Sequence, residues 1–162
     1  MVRLILEQQV SLASADAALR KLEATIGDVE PAAVLALDDA QLKTIGFSRQ
    51  KAGYARGLAA GLVEGSIVID DLGAVPDEAA GERLRSIRGI GPWTASCYLL
   101  FALGRPDAWP PGDRALQVSM SRVYDLAAVP DAGAADERAM AWRPHRAIAA
   151  RLLWHEYLGG RP

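Results

Sequence analysis

Apolar residues recur along nearly the whole chain at intervals of three and four, the spacing that places them on one face of a helix. This spacing predicts helices over residues 2–9, 11–26, 31–37, 39–45, 49–63, 76–87, 92–101, 113–127, 134–142 and 144–157. Ser11 and Ser14 fall where a cap or a solvent-facing hydroxyl belongs. The pair Asp38-Asp39 suits the positive start of the fourth helix. Pro92 and Pro144 suit a first helical turn, where a missing N–H costs nothing. Only "SIVIDDLG", residues 66–73, has β-like character, and it has no partner with which to build a sheet. The pattern therefore predicts an all-α fold.

Composition narrows the class. At 162 residues with 51% hydrophobic and 23% charged, residues 1–162 read as one domain with a proper core. There is no internal repeat and no linker, and 127–137 is the most loop-like piece. The chain enters an apolar helix at once, which suggests that the full fold has a further N-terminal segment. The apolar run at 98–103 is far too short to span a bilayer, and "MVRLILEQQ" lacks the signal-peptide pattern. Cys97, the single cysteine, excludes an internal disulfide, a Cys-rich zinc site and a four-cysteine iron–sulfur cluster. His145 and His155 are too few and too isolated for a metal site. An intracellular, soluble, cytoplasmic protein without a metal is expected. A net charge of −2 argues weakly against nucleic acid, but backbone amides hold phosphates without lysine.

The chemistry concentrates in residues 84–116. Gly89-Ile90-Gly91-Pro92 lies between two apolar helices, where glycines allow a tight turn and close backbone approach. The amides of Gly91, Trp93 and Thr94 would then face outward at a positive helix end, a ready phosphate site. Ile90 would plug the crease. An ordinary helix–turn–helix corner explains the same glycines equally well. Asp113, twenty positions after Trp93 and following a loop with three prolines, begins the next helix. It reads as an N-cap, and a cap also fixes a carboxylate in space, so both roles hold together.

This combination resembles the helix-hairpin-helix (HhH-GPD) base-excision DNA glycosylases, and the resemblance covers nearly the whole chain. "LILEQQVSLASADAALRKL" resembles the family's early helix pair, "LKTIGFSRQKAGYARGLA" its middle turn and helix, and 84–116 its signature. The resemblance implies two helical halves flanking an active-site cleft, with the hairpin at about 84–101 gripping a DNA phosphate. It also implies a monovalent cation at the hairpin, Asp113 as the catalytic carboxylate, and Gln9 as the wedge that fills the vacated base site. Without the resemblance, Gln9 is a polar residue at a helix junction. Phe47 and Ser48 are second candidates for the wedge, and Arg49, Lys51 and Arg56 for phosphate contacts.

Bifunctional members carry a lysine where this chain has Trp93, and tryptophan forms no Schiff base, so no lyase chemistry is expected there. "GIGPWTA" and "LLWHEY" resemble the 3-methyladenine DNA glycosylase II branch. There Trp93 and Trp154 would sandwich the base, with Cys97 and His155 standing where that branch has aromatic residues. Core packing is the competing role for either tryptophan. The implied function is a monomeric, monofunctional glycosylase that flips alkylated purines (the 3-methyladenine and 7-methylguanine type) out of double-stranded DNA. The alternatives are a mismatch or deaminated-base glycosylase, or a DNA-binding module without activity. Trp109, Trp142 and Tyr54 read as structural.

Overall fold

The computed structural model describes residues 1–160, and the chain packs into two compact units. The first comprises 1–75 with 82–90, and the second 76–81 with the chain from 91 onward. Among the described residues every regular element is a helix.

The first unit begins with α1 (Val2–Glu7), α2 (Leu12–Ile26), α3 (Pro31–Ala36), α4 (Asp39–Ile45) and α5 (Arg49–Glu64). Its caps are sequence-local. Ser11 accepts from the Ser14 amide, Asp38 and Gln41 form a reciprocal capping box, and Ser48 accepts from the Lys51 amide. Leu6, Leu22, Val34, Leu42, Ile45 and Phe47 fill one core, into which α5 turns Ala52, Ala55 and Ala59. The small α5 residues let α1, α3 and α4 pack closely against it. Among the described residues the β-like segment forms no strand. Ile67 instead folds back on Gly61 of α5, donating its amide to the Gly61 carbonyl at 2.9 Å, and its side chain fills the space a Cβ would need. Within the segment Leu72 is buried in packing, whereas Val68 is 57% exposed.

Helix α6 (Asp77–Ser86) starts in the second unit and ends in the first. The second unit continues with α7 (Pro92–Phe101), α8 (Arg114–Val123), α9 (Ala132–Ala139) and α10 (Arg146–Tyr157). Helix α8 packs on α9 and α10 around Leu116, Met120, Ala139 and Leu153. The expected Pro144 start of the last helix is displaced by two residues, because His145 keeps a non-helical conformation and caps α10. Trp109 and Trp142 meet edge to face, and the Trp109 indole donates to Asp136 at 2.8 Å, the structural roles expected of them.

Candidate active site

Asp113 is the N-cap of α8. Its Oδ1 accepts the Leu116 amide at 2.9 Å, the bond that makes it a cap. Two further donors reach the same carboxylate from distant parts of the chain. The Trp93 indole N–H donates to Oδ2 at 2.7 Å, and the Trp154 indole N–H donates to Oδ1 at 3.3 Å. All three side chains belong to the second unit and all three are half-buried. Donors on both oxygens leave the carboxylate one orientation.

Phe101 completes the arrangement, although nothing in the sequence pattern distinguishes it. Its ring stacks on Trp154 with centroids 5.4 Å apart, yet it remains 53% exposed. Arg151 lies over the Phe101 ring at 5.2 Å and donates to the Leu100 carbonyl. One face of Trp154 is therefore already covered by an aromatic ring. The only sequence signal for this was a large aromatic closing an apolar helix, and that pattern does not separate site from core.

The carboxylate also depends on the loop that delivers it. Asp107, in the loop before α8, accepts from Arg146 at 2.8 Å on each oxygen and from Arg143 at 2.9 Å. These guanidiniums, Arg146 foremost, hold the Asp107 carboxyl below the usual range. The Ala147 amide bonds the Pro106 carbonyl beside them, so the loop is clipped to the start of α10.

At the hairpin the two glycines differ. Gly89 has φ +89, and a Cβ there would run into the Tyr54 ring, so conformation and space both demand glycine. Gly91 has an ordinary φ of −85 and open space where a Cβ would stand. Nothing in the fold requires glycine at Gly91. It caps α7 without a side chain, and the first bond to its carbonyl comes from the Ala95 amide. Ile90 is 4% exposed. The Thr94 side chain is buried, so only its backbone is suited to a ligand role.

At the far end of α1, Gln9 is exposed and holds a left-handed φ of +56, uncommon for a residue with a Cβ. Its neighbour Gln8 donates from Nε2 to the Gly89 carbonyl at 2.9 Å, a contact the sequence does not announce.

Several expected site residues lie elsewhere. Phe47 is 4% exposed in the core of the first unit and does not serve as a wedge. Gly46 ends α4 with φ +122, and the Phe47 amide reaches back to the Leu42 carbonyl, which turns the ring inward. Ser48 is exposed but engaged in capping α5. Cys97 is 1% exposed and so belongs to the interior, not to an open pocket wall. His155 follows Trp154 directly, rotated by about 100° around α10. It packs against Gly160 and lines an apolar groove of about 650 Å³ with Tyr124, Trp142 and Leu152, a groove that none of Asp113, Trp93 and Trp154 lines. Lys51 donates its Nζ to the Leu6 carbonyl at 2.6 Å, and the accompanying burial lowers its pKa. Arg56 is engaged by Asp39 and the Leu37 carbonyl. Both cations tie helices together, which leaves exposed Arg49 as the remaining phosphate candidate of the three.

Comparison with known proteins matches residues 2–145 to the HhH-GPD superfamily base excision DNA repair protein family. A putative DNA-3-methyladenine glycosylase of Bacillus subtilis is 30% identical, over 95% of this chain and 56% of its own length. The chain thus spans little more than half of that relative. A solved Schizosaccharomyces pombe 3-methyladenine DNA glycosylase in complex with abasic DNA superposes with a TM-score of 0.88 at 25% identity, covering 95% of this chain and 77% of that one. A 3-methyladenine DNA-glycosylase of Archaeoglobus fulgidus superposes at 0.82 with 26% identity, covering 96% and 56% respectively.

Proposed function

We propose, since this chain belongs to the HhH-GPD superfamily of base excision DNA repair proteins, that it is a monofunctional glycosylase releasing alkylated purines from duplex DNA by hydrolysis of the N-glycosidic bond. One observation carries this reading: a single carboxylate, Asp113, held by two indole donors, with Trp93 at the position where a lyase would need an amine.

The chemistry follows from the substrate class. A purine alkylated at the 3 or 7 position carries positive charge, and aromatic faces attract such a ring by about 0.5–2 kcal/mol per contact. When the C1′–N bond breaks, the departing base takes the bonding pair and leaves neutral, so no strong general acid is required. Positive character develops at the sugar, and a fixed anion beside C1′ opposes it without reorganising. Water then adds its oxygen at C1′, and its proton passes to a lone pair that the carboxylate retains. The products are a free base and an abasic site. A tryptophan at position 93 leaves no amine there to open the sugar.

Gripping the backbone falls to the hairpin. A glycine at Gly91 that the fold does not need places no side chain over the amide end of α7, and a phosphate suits that end. The Ile87 carbonyl accepts the Ile90 amide and the Gly89 carbonyl accepts from Gln8. Each oxygen has a second lone pair, so either could contribute to holding a monovalent cation.

Release of 3-methyladenine and 7-methylguanine from methylated duplex DNA tests the proposal, with Asp113→Asn alongside. The expected result is release that drops at least about 100-fold on substitution, with duplex binding retained. Release confined to uracil, hypoxanthine or mismatched substrates would instead favour a deaminated-base or mismatch enzyme. No release from folded protein would reduce the chain to a DNA-binding module.

A further inference from the structure

Two glutamines follow α1, and they differ in conformation and exposure. Gln9 is exposed in its left-handed conformation, whereas Gln8 is half-buried and donates from Nε2 to the Gly89 carbonyl at 2.9 Å. Gly89 itself lies against the Tyr54 ring, which occupies the space where its Cβ would be. The last turn of α1 is also held by Lys51 Nζ on the Leu6 carbonyl at 2.6 Å. All of these residues lie in the first unit, so the turn carrying Gln9 and the hairpin glycine are parts of one packed body.

The geometry points to Gln8 as a positioning residue that couples the wedge at Gln9 to the hairpin at Gly89. This rests on the glycosylase reading proposed above, together with the expectation from the family resemblance that Gln9 enters the vacated base site. Extruding a paired base is work done between two points, one that pushes into the stack and one that holds the strand. If the pushing loop yields against the holding hairpin, the wedge deflects and the base stays paired. The Gln8 bond closes that gap with a neutral hydrogen bond 81 residues apart in sequence. The left-handed Gln9 backbone is the kind of strain that persists only where its surroundings over-determine it, and Gln8 and Lys51 supply that restraint. Gln8 touches neither base nor sugar. Its effect therefore falls on substrates that must be opened, and not on those already unpaired.

The test uses Gln8→Met, which keeps the volume and loses the donor, and Gln8→Glu, which replaces the donor with an acceptor facing a carbonyl. Release of 3-methyladenine is followed under single-turnover conditions from methylated duplex and methylated single-stranded DNA. Each variant is expected to lower the duplex rate by about fivefold, the scale of one neutral hydrogen bond, and to leave the single-strand rate within about twofold. A double variant with Gln9→Ala is expected to be no worse than Gln9→Ala alone. A readout independent of chemistry uses a duplex with 2-aminopurine beside a tetrahydrofuran abasic site. The protein concentration needed for half of the fluorescence change is expected to rise about fivefold on Gln8→Met. Equal losses on duplex and single strand, with or without a lower melting temperature, would make Gln8 an ordinary brace and overturn the inference. So would losses that add to those of Gln9→Ala. Should Asp113→Asn keep full release, the catalytic reading fails, while the 2-aminopurine response still decides for or against Gln8.

Discussion

The indole N–H groups of Trp93 and Trp154 separate two functions that a tryptophan can combine, a face for a base and a donor for a carboxylate. Trp93→Phe keeps a ring and removes the donor at 2.7 Å from Asp113. Hydrogen bonds to charged groups contribute about 1.5–3 kcal/mol, so kcat is expected to fall roughly 10- to 100-fold while KM changes little. Trp154→Phe removes a 3.3 Å bond and should cost less. A loss confined to KM in steady-state kinetics would assign both tryptophans to base stacking alone. Phe47 makes the complementary point at this scale. It is as aromatic as Phe101, but the chain reversal at Gly46 buries it, while Phe101 stays exposed at the end of α7.

Among the elements, the loop between α7 and α8 matters more than its irregular appearance suggests. It ends on Asp113 and is clipped to α10 through Asp107, Arg143 and Arg146. The folded Asp107 pKa lies below the unfolded value of about 3.9, so its contribution is fully present above pH 4. That contribution is lost as pH falls through the folded value. Asp107→Asn is expected to destabilise the chain by about 1–2 kcal/mol at pH 7, read as a drop of roughly 3–6 °C in melting temperature. The gap between variant and wild type should narrow steadily below pH 4. A gap that persists undiminished in acid would mean that packing, not charge, anchors the loop.

For the whole molecule, electrostatics departs from what its proposed partner would suggest. The net charge is −2, and two of the three cations once candidates for phosphate contacts, Lys51 and Arg56, bind groups within the protein. On the proposed function, affinity for duplex DNA would draw on amide donors, which displace few counterions. A plot of log Kobs against log salt is expected to have a slope of about −2 to −3. A slope steeper than about −5 by fluorescence anisotropy would contradict the amide grip.

Much of this was legible in the order of residues alone. Helical periodicity and caps such as Ser11, Asp38 and Asp113 are local properties, set within one or two turns, and they located nearly every helix to within a few residues. The glycine corner, buried Ile90 and the helix-leading Asp113 were visible for the same reason. Which side chains converge is a different matter. Trp154 reaches Asp113 across 41 residues and Gln8 reaches Gly89 across 81. No periodicity records such a pairing, and adjacent residues such as Gln8 and Gln9, or Trp154 and His155, carry the same local signal and yet point in different directions. Sequence by itself determined the helices and their ends, because short-range backbone bonding dictates them. Only the packed chain decided which of two neighbouring side chains meets the site, because that depends on contacts made from the far end of the sequence.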